Sequence, residues 1–68
     1  MPISARNKLR GTIEEIKLGD ITAHVVVRMG DNLIESAITR GSAEELNLKQ
    51  GDTVSAVVKA TEVMIQKD

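Results

Sequence analysis

Through long parts of this chain apolar residues fall at every second position, the period of a strand with one buried face. Between 9 and 17, "LRGTIEEIK" sets Leu9, Gly11, Ile13 and Glu15 on one face. The alternation breaks at Glu14, Glu15 and Ile16, where it predicts a bulge or an edge. "LGD" at 18–20 is a turn signal, and "ITAHVVVRM" at 21–29 reads as a second strand. "GDN" at 30–32 reads as a short hairpin loop leading into a third strand, "LIESAIT", at 33–39. Two more strands follow late in the chain, "VSAVVKA" at 54–60 and "EVMIQ" at 62–66. Only one helix is predicted. Ser42 followed three residues on by Glu45 forms a capping box. It would turn Ala43, Leu46 and Leu48 inward and set Glu44 and Glu45 in the first turn. "QGD" at 50–52 ends it with a turn.

The order is three strands, a short helix, two strands, within one domain spanning 1–68. That is the order of an OB-fold, an all-β, five-stranded Greek-key barrel with its helix between strands three and four. Val25, Val26 and Val27 interrupt the alternation in the second strand. A strand apolar on both faces is covered on both faces. In so short a chain the second cover is expected from another subunit.

Composition sharpens that expectation. Sixty-eight residues make a marginal core, and small domains are commonly reinforced by disulfides, a metal or oligomerisation. Cysteine is absent, and the single histidine, His24, cannot build a zinc site alone. Oligomerisation is the remaining remedy. Aromatic residues are also absent, and 9 basic residues stand against 10 acidic ones in mixed order. Single-strand binders need aromatic platforms and a basic groove, so nucleic acid is not an expected partner. With no long apolar run, neither is a membrane, and the chain reads as cytoplasmic.

No nucleophile–base set and no phosphate loop is visible, so the chain is read as a binder and not an enzyme. What remains is a set of small donors and cations. Ser4 and Arg6 stand at the N-terminus, Thr39 and Ser42 flank Gly41 where a strand meets a helix, and Lys59 and Ala60 end a strand. Hydroxyls, free amides and a cation are what an oxyanion needs. Each also has an ordinary structural use: Ser42 as a helix cap, Thr39 as a strand residue, Lys59 at a barrel rim. From the residues alone, an anion site and an OB-fold interaction module for nucleic acid or a protein partner both stay open.

"ISARNKLRGTI" at 3–13 resembles the "SARN" signature that opens the molbindins, small molybdate-binding proteins, and "AVVKATEVMI" at 56–65 resembles their closing segment. "TAHVVV" and "SAITRGSAEELNLKQGD" are similar as well, so the resemblance runs over essentially the whole chain. It implies an OB-like fold assembled as a homohexamer, a trimer of dimers, that binds molybdate or tungstate between subunits for molybdenum storage or homeostasis. The oxyanion ligands it implies are Ser4, Ala5 and Arg6 from the "SARN" motif, Lys59 and Ala60 from the "KA" motif, and Thr39 and Ser42 from a Thr-x-x-Ser element. A second oxyanion site would fall at Thr22, Ala23 and His24. Two departures stand out: Pro2, which lacks an N–H donor, and the Arg40–Gly41 pair at the second wall of the pocket. No resident cofactor or protein-bound metal ion is implied, since the metal enters as its oxyanion.

Overall fold

Four antiparallel strands, one short helix and a 3₁₀ turn make up the protein, in a computed structural model that describes residues 3–68. Pro2 lies outside the described residues. The elements are β1 (Asn7–Leu18), β2 (Thr22–Met29), β3 (Asn32–Thr39), α1 (Arg40–Glu45), β4 (Thr53–Val58) and the 3₁₀ turn Ala60–Glu62. The strands lie in the order β3-β2-β1-β4. β1 is shared along its length: its second half pairs with β2 (Thr12↔Arg28 to Leu18↔Ala23) and its first half with β4 (Asn7↔Val58 to Thr12↔Thr53). β2 and β3 form a hairpin closed by a two-residue turn, with Met29 opposite Asn32 and Gly30 at φ 62. Glycine meets the positive φ that such tight turns demand.

The break in alternation along β1 is a real bulge, since the register slips between Ile13 and Glu15. Its effect is to bring two isoleucines three residues apart onto one face. Ile13 pairs with Val27 and Ile16 with Val25, so both join the core. Without the extra residue, the period of two would send one of them to solvent. The expected face of Leu9, Gly11, Ile13 and Glu15 is corrected accordingly: Glu15 is exposed, Ile16 takes the inward place, and Leu9 is also exposed. Glu14, the bulged residue, reaches Arg28 in an ion pair on the outer face. At Gly11, β1 leaves β2 for β4. A Cβ there would lie 2.6 Å from the Arg28 carbonyl oxygen and 2.7 Å from both Met29 Cγ and Val27 Cγ1, so only glycine fits.

Ile13, Val25 and Val27 form the buried core, packed by Ile16, Met29, Ile38, Leu48 and Val54. Of the three valines, Val25 and Val27 point in and Val26 is half-buried on the outer face. Val26 sits opposite Glu35 and Glu15, next to the His24–Glu35 pair at 2.8 Å.

The helix differs from its sequence reading at both ends. Its N-cap is Thr39, not Ser42, and it starts at Arg40. Thr39 ends β3 in an extended conformation (φ −71, ψ 149), which aims its hydroxyl at the amide of Ser42 three residues on. Glu44 and Glu45 therefore sit at the helix end and not in its first turn. That end is closed by Asn47 at φ 52, whose amide donates to Glu44 O, with Leu48 N donating to Ala43 O. This double bond is the Schellman arrangement. It turns the chain so that Leu48 reaches the core while Leu46 stays exposed, against expectation; Ala43 is buried as expected.

The fifth strand, 62–66, is absent. Ala60–Glu62 is a 3₁₀ turn, and the residues after it carry no strand pairing. A strand exists only through a partner's edge, and this segment pairs with no edge among the described residues. The last expected strand residues, Lys59 and Ala60, likewise fall beyond β4, which ends at Val58.

Candidate functional site

The two ends of β1 gather the candidate residues into two groups. At its start, Asn7 pairs with Val58. Arg6 and Lys59 are the next residues on each strand, so the "SARN" and "KA" segments leave the sheet side by side. Ala5 is buried (6% exposed), while Ser4 and Arg6 to either side of it are exposed. The small residue thus lies against the body and its polar neighbours face outward. Lys59 adopts an extended conformation (φ −68, ψ 140) ahead of the 3₁₀ turn. The turn is closed by Glu62 N donating to Lys59 O at 2.9 Å. Among the described residues, the amides of Ala60 and Thr61 donate to no backbone carbonyl, and neither Arg6 nor Lys59 forms an ion pair. Two exposed cations, a serine hydroxyl and open amides therefore share one end of the sheet, with Glu62 the nearest acid in sequence.

At the other end of β1, Leu18 pairs with Ala23, and Thr22 pairs with Thr39. Thr39 Oγ1 accepts from Ser42 N at 3.0 Å and donates to Ser42 Oγ at 2.8 Å. Because the Ser42 oxygen is already accepting, its own proton is free to point elsewhere. Hydroxyl chains oriented in this way are good donors to an anion. Arg40 is committed to the scaffold: its amide donates to Ile21 O at 2.8 Å, Nη1 to Gly19 O at 3.1 Å, and Nε to Glu44 Oε2 at 3.4 Å. These bonds hold the β1–β2 turn against the start of α1. Beside it, Gly41 faces open space, with nothing within 4 Å of where a Cβ would be.

The structure thus brings Ser4, Ala5, Arg6, Lys59 and Ala60 to one end, and Thr22, Ala23, Thr39 and Ser42 to the other. It does not bring these two groups together within one chain. Twelve residues of β1 separate them, and a strand rises about 3.3 Å per residue. Of the second expected site, Ala23 is buried and Thr22 exposed; His24 Nε2 is engaged with Glu35 on the outer face. Sequence reasoning missed the exchange of roles between Thr39 and Ser42. The signal was present, since threonine followed by Arg-Gly-Ser is itself a Thr-x-x-Ser cap. Among the described residues no group of three His, Cys, Asp or Glu is placed to hold a metal ion. No helix is long and apolar enough to cross a membrane.

Comparison with known proteins gives a consistent picture. Residues 3–65 match the TOBE domain. Molybdenum-pterin-binding protein 1 of Clostridium pasteurianum is 50% identical over 66 residues, covering 96% of this chain and 97% of that one. The structure superposes on a molybdate-binding protein from Sporomusa ovata with a TM-score of 0.93 at 43% identity, covering 98% of this chain and 100% of the other. The cytoplasmic molybdate-binding protein ModG, in a crystal form with molybdate bound, gives a TM-score of 0.81 at 39% identity over 88% of this chain and 43% of its own.

Proposed function

The chain belongs to the molbindin family of TOBE-domain proteins, and from that premise we propose that it binds molybdate or tungstate at the boundaries between subunits of a homohexamer. Molybdate binding is named in the structures it resembles at 43% and 39% identity. In this reading the protein holds the oxyanion in the cytoplasm for molybdenum storage or homeostasis.

One observation carries the interfacial part of the reading. The cationic group around Arg6 and Lys59 and the hydroxyl group of Thr39 and Ser42 stand at opposite ends of β1. An oxyanion that uses both must take them from two chains. Ser4, the Ala5–Arg6 backbone, Lys59 and the Ala60 amide form one wall, and Thr39 with Ser42 of a neighbour forms the other. Thr22, Ala23 and His24 are assigned to a second oxyanion position. A dianion stripped of water needs charge compensation, and Lys59, exposed and without an ion pair among the described residues, supplies it. Ala5 and Ala60 are small enough to let the anion reach the backbone.

Native mass spectrometry with and without molybdate tests the assembly, which should appear as a hexamer that gains discrete anion masses. Calorimetric titration tests the pocket. A hydrogen bond to a charged group contributes about 1.5–3 kcal/mol, so Lys59→Met should weaken molybdate binding roughly ten- to 150-fold. Unchanged affinity would remove Lys59 from the site.

A further inference from the structure

The outer face of the sheet is divided by charge. Over β2, β3 and the second half of β1, acids and bases are matched: Glu14 with Arg28, Glu15 with Lys17, and Glu35 with His24. Over β4 and the first half of β1 they are not. There the period of two turns Asn7 and Leu9 to the inner side and leaves Lys8, Arg10 and Thr12 outward. β4 sets Val57, Ser55 and Thr53 beside those three in register, and none of them is acidic. Arg6 and Lys59, exposed just before β1 and just after β4, continue the row.

Arg6, Lys8, Arg10 and Lys59 thus form a line of exposed cations that ends at the proposed oxyanion wall. Among the described residues none of them forms an ion pair or a side-chain hydrogen bond. The carboxylates at the margins of this face are engaged or set in turns. Glu14 is held by Arg28, where the row meets β2 at Thr12, and Asp52 accepts from Lys49 N ahead of β4. Asp31 lies in the β2–β3 turn and Glu62 in the 3₁₀ turn behind Lys59. Unpaired lysines and arginines often guard an exposed edge, but β1 is an inner strand. Neither ion pairing nor edge protection accounts for the row. Side chains on one face of a strand repeat about every 7 Å, so Lys8 stands one such interval from Arg6 and Arg10 two. Charges at these separations still act on one another through dilute salt, where the screening length is about 10 Å at 0.1 M and about 30 Å at 0.01 M.

We propose that Lys8 and Arg10 steer the oxyanion along the outer face of β1 to Arg6 and Lys59. They attract the dianion from solution without touching it once bound. A face of one sign raises the local concentration of its counter-ion and the rate of association. Removing such a peripheral charge alters the association rate and its salt dependence, whereas losing a direct contact speeds dissociation. The inference rests on the anion site proposed above and assigns its side of entry. The anion arrives over the β1–β4 half, away from the half where Glu14, Glu15 and Glu35 offset their basic partners.

The test follows uptake and release of radiolabelled molybdate by the full chain, using rapid filtration at low salt and at about 1 M salt, where the screening length falls to about 3 Å. Lys8→Gln/Arg10→Gln should slow association about three- to tenfold at low salt and leave dissociation within about twofold. The difference should vanish at high salt. Lys8→Gln alone should slow association more than Arg10→Gln, because Lys8 is closer to Arg6 along β1. Lys49→Gln removes the same charge from the loop after α1 and should leave the rate unchanged. Ser55→Lys adds a cation opposite Arg10 and should speed association, a gain that misfolding cannot produce. Unchanged association in the double variant or in Ser55→Lys overturns the steering and leaves the site standing. Faster dissociation with unchanged association makes Lys8 or Arg10 a ligand and overturns it too. Equal slowing by Lys49→Gln reduces the effect to net charge and overturns it as well. A parent chain that takes up no molybdate overturns both the steering and the site.

Discussion

Thr39 and Ser42 share one pair of hydrogen bonds but should fail in opposite ways when replaced. Thr39→Val keeps the branched shape at the end of β3 and removes the oxygen that accepts Ser42 N at 3.0 Å. That bond is the N-cap of α1, and losing a cap costs about 1 kcal/mol. In a domain of this size such a loss lowers Tm by roughly 4–8 °C. Ser42→Ala leaves the cap in place, since the amide of residue 42 still donates to Thr39 Oγ1. The exposed Thr39 hydroxyl then turns to water, and stability should stay within about 0.5 kcal/mol of the parent. Molybdate affinity should show the reverse weighting. In the proposed site Ser42→Ala removes a donor to the dianion, worth about 1.5–3 kcal/mol, or roughly ten- to 150-fold in Kd. Thr39→Val should weaken binding less, by loosening the orientation of the Ser42 hydroxyl. Thermal unfolding at one fixed protein concentration, paired with calorimetric titration, reads both effects. The fixed concentration matters because the Tm of an assembling protein depends on it. A Ser42→Ala variant that melts as low as Thr39→Val would return the cap to Ser42. One that binds molybdate like the parent would take Ser42 out of the site.

Other substitutions probe the scaffold and the ligand class. Gly11→Ala should destabilise the fold by about 1–3 kcal/mol in urea titration, the usual cost of overpacking, because a Cβ would sit 2.6 Å from the rigid Arg28 carbonyl. Ile13→Ala should cost about 2–5 kcal/mol in the same assay, since Ile13, 1% exposed, is the largest fully buried side chain among the described residues. Single-stranded DNA or RNA should show no tight, sequence-dependent electrophoretic shift at physiological salt, since the chain has no aromatic residue to stack on a base.

Much of the fold is legible in local pattern. Alternation located β1 to β4 to within about two residues, the ordinary uncertainty of strand ends, and the irregularity at Glu14–Ile16 marked the bulge. The helix was found but misplaced by three residues at its start, because Thr39 and Ser42 both head plausible caps. The backbone at the end of β3 decides between them: it holds Thr39 extended and Ser42 already in the helix. The segment 62–66 has the composition of a strand and is not one within this chain. Strand pairing is a property of two segments, and composition reports only one of them.

The candidate site shows the same division between local and distant information. Residue types and spacing singled out Ser4, Arg6, Thr39, Ser42 and Lys59, since hydroxyls and cations beside small residues are a local signal. That Arg6 runs beside Lys59 while Thr39 stands at the far end of β1 follows only from register. Register is set by which apolar faces meet, Ile13 on Val27 and Ile16 on Val25, across an extra residue at Glu14. The sequence by itself therefore determined which segments can be strands and how small the core is, and it named the candidate residues for an anion. Tertiary structure alone decided that the two groups of candidate residues stand at opposite ends of β1, because that placement depends on contacts between residues far apart in the chain.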